Sequence, residues 1–156
     1  MKNIINLCLK EGFEYASFWA LAKNNIQNRE QEELDFLYGL IIKDVYGLKD
    51  DFIEKSIKFR TVGDLLLLPV EVKNTLEKLI EETKDWEKMT VIMAIGYGWQ
   101  DEIVRWIKRF ITENKENIKS DLEEVLLSLD EWSFFKYLDT WDFPAPDLII
   151  RTWWDI

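Results

Sequence analysis

Adjacent carboxylates recur along this chain, at Glu32-Glu33, Asp50-Asp51, Glu81-Glu82, Asp101-Glu102, Glu123-Glu124 and Asp130-Glu131. Two carboxyl groups are enough for glycoside hydrolysis. One of them must then be desolvated so that it keeps its proton. Acids on helix surfaces stay solvated, and Asp121 and Asp130 suit helix starts, where backbone N–H groups and the helix dipole hold them. The pairs therefore point away from a carboxylate hydrolase. The "GYG" at 96–98 is a lone Gly-x-Gly with no strand read before it, so it reads as an interhelix turn rather than a phosphate loop. In "RWIKRF", helical spacing sends Trp106 and Phe110 inward and Arg105, Lys108 and Arg109 outward. That is a solvated helix face rather than a nucleic-acid platform.

The chain has no histidine and one cysteine, Cys8, in the apolar run "IINLCL". Ser-His and Cys-His nucleophile systems are excluded. A zinc site is not expected, and Cys8 reads as a core thiol. No metal, no cofactor and no catalytic residue are expected, and the chain reads as a non-enzyme. The opening "MKNIINLCLKEG" has too short an apolar run for a signal peptide. No run approaches membrane-spanning length, so a cytoplasmic location is expected.

The elements that must carry these residues read as helices nearly throughout. Six glycines and three prolines punctuate the 156 residues, and strand-like alternation is scarce. "FEYASFWALAK" is apolar almost all round, as in a helix buried on several sides. "QEELDFLYGLIIKDVYG" reads as an amphipathic helix ended by Gly47. Pro69 suits the first turn of the next long helix, with Val72, Leu76, Leu79, Ile80 and Thr83 inward. The stretch 84–110 reads as a helix hairpin turning at Gly96-Tyr97-Gly98. Beyond the turn, Trp99, Ile103, Trp106, Ile107, Phe110 and Ile111 share the apolar face, and Asp101 pairs with Arg105. Ser120 and Glu123 form a capping box, Asp130 caps "EWSFFKYLD", and 117–139 reads as a second hairpin. The fold class expected is all-α, one domain over 1–156. Its eight or nine short helices would lie in antiparallel hairpins, as a compact bundle or an α-solenoid-like stack.

The net charge is −10, and residues 121–156 hold nine acids against Lys136 and Arg151 alone. In that last quarter aromatics alternate with acids. Trp132, Phe135 and Leu138 suit helix packing, Asp147 suits the cap of a last helix "LIIRTWW", and Ile149, Ile150 and Trp153 would face inward. Glu131, Asp139, Trp141, Asp142, Asp147, Trp154 and Asp155 are then left as an anionic, aromatic-studded binding face for a basic protein. In size, acidity, dense aromatics and missing catalytic residues the chain resembles bacterial toxin-immunity proteins, including those of contact-dependent growth inhibition. The resemblance implies occlusion of the active site of a basic toxin, a nuclease for instance, with carboxylates standing in for phosphates. A DNA-mimic inhibitor of nucleic-acid-binding proteins and a helical-repeat adaptor are the alternative expectations.

Overall fold

A computed structural model describes residues 1–151. Its element order is α1 (Lys2–Lys10), β1 (Tyr15–Ala22), α2 (Lys23–Asn28), α3 (Gln31–Glu54), β2 (Ile57–Val62), α4 (Val70–Thr83), β3 (Met89–Tyr97), α5 (Trp99–Glu113), α6 (Lys115–Ser120), α7 (Leu122–Leu127) and α8 (Glu131–Lys136). A short 3-10 turn, Leu65–Leu67, precedes α4. The chain divides into two compact units, Met1–Ile103 and Val104–Ile156.

The first unit is built on a parallel three-stranded sheet in the order β1-β3-β2. This overturns the all-α expectation, whether as bundle or as solenoid. Segments 15–22 and 89–97, read as helix, are strands, and a third strand lies at 57–62. The physical reason differs for each. β3 is central and buried on both faces, with Val91, Ile92, Met93, Ala94 and Ile95 all buried. Such a strand shows a continuous apolar run and no period of two. β2 does alternate: Ile57 and Phe59 are fully enclosed while Lys58 and Arg60 are half-exposed. β1 carries a double irregularity that breaks its alternation. Trp19 and Leu21 oppose consecutive residues Ala94 and Ile95, and then Leu21 and Ala22 oppose Ile95 and Tyr97. One extra residue on β1, Ala20, is thus matched by one on β3, Gly96. Gly96 lies at φ +64°, the left-handed region that such bulges use.

One apolar cluster joins α1, β1, α3, β2, α4 and β3, with Ile5, Phe52, Phe59, Leu76 and Val91 among its enclosed members. α3 runs through Gly47 instead of ending there; Lys55 closes it and Ser56, at φ +56°, makes the left-handed turn into β2. α4 begins after Pro69 as expected and buries Val72, Leu76, Leu79 and Thr83. Thr83 does more than pack. Its hydroxyl donates to the Leu79 carbonyl at 2.7 Å and accepts the Phe59 N–H at 3.0 Å. The outer edge of β2 therefore finds a partner in the helix that follows it. Asp51 on α3 receives Lys2 of α1 and, at 3.3 Å, Lys55.

In the second unit, α7 starts at Asp121, whose carboxylate accepts the Glu124 N–H. The Ser120 capping box is therefore corrected; Ser120 ends α6. Asp130 caps α8 as expected, in a capping box with Ser133. No last helix follows Asp147 up to Arg151: Leu148, Ile149 and Ile150 are non-helical and exposed. Trp153, Trp154 and Asp155 lie outside the described residues. No helix among those described is long and apolar enough to cross a membrane.

Two predictions follow from this packing. A β-carbon at Gly63, which sits at φ +115°, would stand 2.1 Å from the Ile95 carbonyl oxygen. Gly63→Ala should destabilise the fold by about 3 kcal/mol or more, read as a lower denaturation midpoint. Asp51 is held below the usual carboxylate range, first by hydrogen bonding from Lys2 and then from Lys55. A depressed carboxyl stabilises above its unfolded value and loses that contribution as pH falls through its folded value. Melting temperature measured against pH should therefore fall less steeply on the acid side in Asp51→Asn.

Candidate functional site

In open parallel sheets the strand ends at the carboxyl edge are where ligands collect, above all where chain order and spatial order part company. Here β3, last in the chain, is inserted between β1 and β2. Three segments leave its carboxyl edge. β1 passes directly into α2 at Lys23. β2 passes through Gly63 to Asp64, whose N–H donates to the Gly96 carbonyl at 3.3 Å. β3 passes through Gly98 into α5. The "GYG" expected as an interhelix turn is thus the end of a strand and the entry to a helix.

Side chains at that edge are tied together. Lys23 Nζ bonds the Asp101 carboxylate, and neither group is more than a quarter exposed. Glu102 is 5% exposed, and accepts the Tyr97 hydroxyl hydrogen bond at 2.8 Å. The Tyr97 ring meets Trp19 edge-on, with centroids 5.3 Å apart.

Trp19 also lines a cavity of about 280 Å³ in the first unit. Its walls are Phe18 to Leu21 of β1, Leu37, Leu40 and Ile41 of α3, Met93 of β3 and Met1. The charged residue among them is Asp44. The lining is otherwise apolar, and its size is just below the usual range for small-molecule sites. It suits a hydrocarbon segment rather than a sugar or a peptide. No cluster of three or more histidine, cysteine or carboxylate side chains gathers among the described residues.

The residues expected to form an anionic face lie elsewhere, in the second unit. Glu131 is exposed in the first turn of α8. Trp141, Asp142 and Asp147 are exposed beyond it. Asp139 is 11% exposed and is held by two arginines. Arg105 grips both its oxygens, at 2.9 and 2.6 Å, and Arg109 adds a third bond at 3.0 Å. Beside this cluster Trp106 stacks on Phe110 and leans on Phe134, and Phe110 meets Tyr137 edge-on. A hydrogen bond to Glu113 raises the Tyr137 hydroxyl above its ordinary pKa. Trp99, Ile107 and Ile111, expected inward on α5, are exposed. Sequence reading missed Lys23, Tyr97 and Glu102. The available signal was the run "VIMAIGYG", rich in β-branched and small residues and ending in glycines, which is a strand-then-turn composition.

Comparison with known proteins accounts for this geometry. Residues 1–153 match the family model described as putative undecaprenyl diphosphate synthase. A tritrans,polycis-undecaprenyl-diphosphate synthase (geranylgeranyl-diphosphate specific) of Thermoplasma acidophilum is 34% identical over 154 residues, 97% of this chain and 57% of its own. An isoprenyl transferase of Fusobacterium nucleatum is 35% identical over 141 residues, 90% of this chain and 56% of its own. A probable undecaprenyl diphosphate synthase of Campylobacter jejuni superposes with a TM-score of 0.74 at 28% identity, over 89% of this chain and 62% of its own. The chain thus spans just over half the length of the curated relatives it matches. These matches overturn the resemblance to immunity proteins, and with it the basic toxin partner, the DNA-mimic and adaptor alternatives and the non-enzyme reading. Acidity and size are shared by many unrelated folds and do not identify a family.

The Asp139 cluster yields its own prediction. Asp139→Ala removes the carboxylate that Arg105, 15% exposed, and Arg109 both grip. It should destabilise the second unit by about 3 kcal/mol, seen as earlier loss of near-ultraviolet circular dichroism on heating.

Proposed function

This chain belongs to the putative undecaprenyl diphosphate synthase family, and on that premise we propose that it takes part in isoprenyl transfer, binding an isoprenoid diphosphate by its hydrocarbon tail. The observation that carries this reading is the apolar cavity between β1 and α3, opening beside the carboxyl edge of a parallel sheet. An isoprenoid diphosphate is a long apolar chain with a strongly anionic head. The chain gains by leaving water, at about 0.8 kcal/mol for each buried methylene. Phe18, Leu37, Ile41 and Met93 offer that burial. The head must stay among polar groups, and the edge next to the cavity supplies Lys23 and the N-terminal turn of α5.

Such a reaction needs no protein nucleophile. Diphosphate is itself a leaving group, so the protein's part is to orient the chain, to exclude water from the reacting carbon and to balance charge on the departing group. A chain without histidine can do all three. At about 280 Å³ the cavity would hold part of a geranylgeranyl tail rather than all of it. The geranylgeranyl diphosphate specificity of the Thermoplasma relative is proposed here as a ligand class. We place this work in the cytoplasm, in keeping with the unpaired thiol of Cys8.

The test is equilibrium binding of geranylgeranyl diphosphate, with inorganic diphosphate as competitor, followed by turnover with a radiolabelled isoprenyl diphosphate building block. Saturable binding and transfer of label into longer lipid are expected. Leu40 is 40% exposed at the cavity wall, so Leu40→Arg should leave the fold intact. It should weaken binding about tenfold or more, because a charge then faces the hydrocarbon. No saturable binding, or equal affinity in Leu40→Arg, would remove the reading.

A further inference from the structure

We propose that Glu102 is a positioning residue for the isoprenoid cavity, acting through Tyr97 on Trp19; the proposal rests on the cavity reading above. Three observations carry it. Glu102 is 5% exposed, and a carboxylate is seldom so enclosed unless something holds it. It takes the Tyr97 hydroxyl at 2.8 Å, across the turn at Gly98 where its own N–H donates to the Gly98 carbonyl at 2.9 Å. The Tyr97 ring then stands at 90° to the Trp19 indole. Trp19 is 65% exposed, so few neighbours fix its orientation and the Tyr97 edge is a large share of them.

The ladder between the two rings is irregular. Trp19 pairs with Ala94 and Ala22 with Tyr97, so the irregularity at Ala20 and Gly96 lies on the stretch of ladder between the two rings. The helix dipole alone would welcome any acid in the first turn of α5. It asks neither for burial nor for a hydrogen bond back to the last residue of β3. Glu102 meets both conditions, and its effect falls on the ring that forms one wall of the cavity.

The experiment uses the full chain labelled with 5-fluorotryptophan, the Trp19 fluorine resonance being assigned through Trp19→Phe. Geranylgeranyl diphosphate is the titrant. Tyr97→Phe keeps the ring and removes the hydroxyl. It should move or broaden the Trp19 resonance and weaken binding about five- to tenfold, with far-ultraviolet circular dichroism unchanged. Glu102→Ala should do the same, and Glu102→Gln, which keeps an acceptor oxygen, should recover most of the loss. If the unaltered chain binds the titrant while Tyr97→Phe leaves both resonance and affinity as they were, the positioning role is overturned and the cavity reading stands. A moved resonance with unaltered affinity overturns it equally. If the unaltered chain binds no titrant, the cavity reading itself falls and takes this role with it.

Discussion

The backbone leaving β2 at Gly63 presses against the carbonyl of Ile95 on β3, with no room for a side chain between them. A second approach lies beside it, where a β-carbon at Gly96 would stand 2.8 Å from the Asp64 carbonyl oxygen. These two contacts let the central strand and its neighbour end at the same level. The carboxyl edge is then compact: Asp64 joins the Gly96 backbone, Gly98 lets α5 begin close to Lys23, and Tyr97 turns toward Trp19. Were either glycine replaced, the segments that present the polar edge would part, and the cavity wall at Trp19 would lose its support. The candidate site follows from a close backbone crossing more than from any one reactive group.

Energetically the first unit relies on β3. It is buried from Val91 to Gly96, its neighbours are both parallel to it, and α3 and α4 pack on one another near β2. The outer edge of β2 is closed at Phe59 by Thr83. The cavity opens along β1, at the other side of the sheet, where the double bulge relaxes the ladder. Order is thus concentrated at the centre and accommodation at one edge, a division that suits binding of a flexible apolar chain.

What was legible in the sequence divides along physical lines. α4 and the cap at Asp130 were readable because their signals are local: a proline, a capping side chain, a period near 3.6. β3 was not, because a strand enclosed on both faces carries no alternation and resembles a buried helix. β1 was not, because its bulge displaces the pattern at Ala20. Gly47 misled for the opposite reason: α3 tolerates it in an exposed helical position and stops only at Lys55. For the site, the missing histidine speaks against Ser-His nucleophiles and zinc chemistry, but it does not bear on transfer reactions that need no protein nucleophile. Glu102 sat in a pair of adjacent acids that looked solvated, and only the fold shows that one of the two is enclosed. Asp139 was read as surface charge, whereas its bonds run inward to Arg105 and Arg109.

Photo-crosslinking tests the central claim most directly, that an isoprenoid tail lies between β1 and α3. A prenyl diphosphate carrying a photoreactive group at the far end of its tail would be irradiated with the chain and the adducts mapped by mass spectrometry. The account predicts adducts within 18–21 and 37–41, lost when excess unlabelled geranylgeranyl diphosphate is present. Adducts confined to the exposed apolar residues of the second unit, such as Leu127 and Trp132, would contradict it.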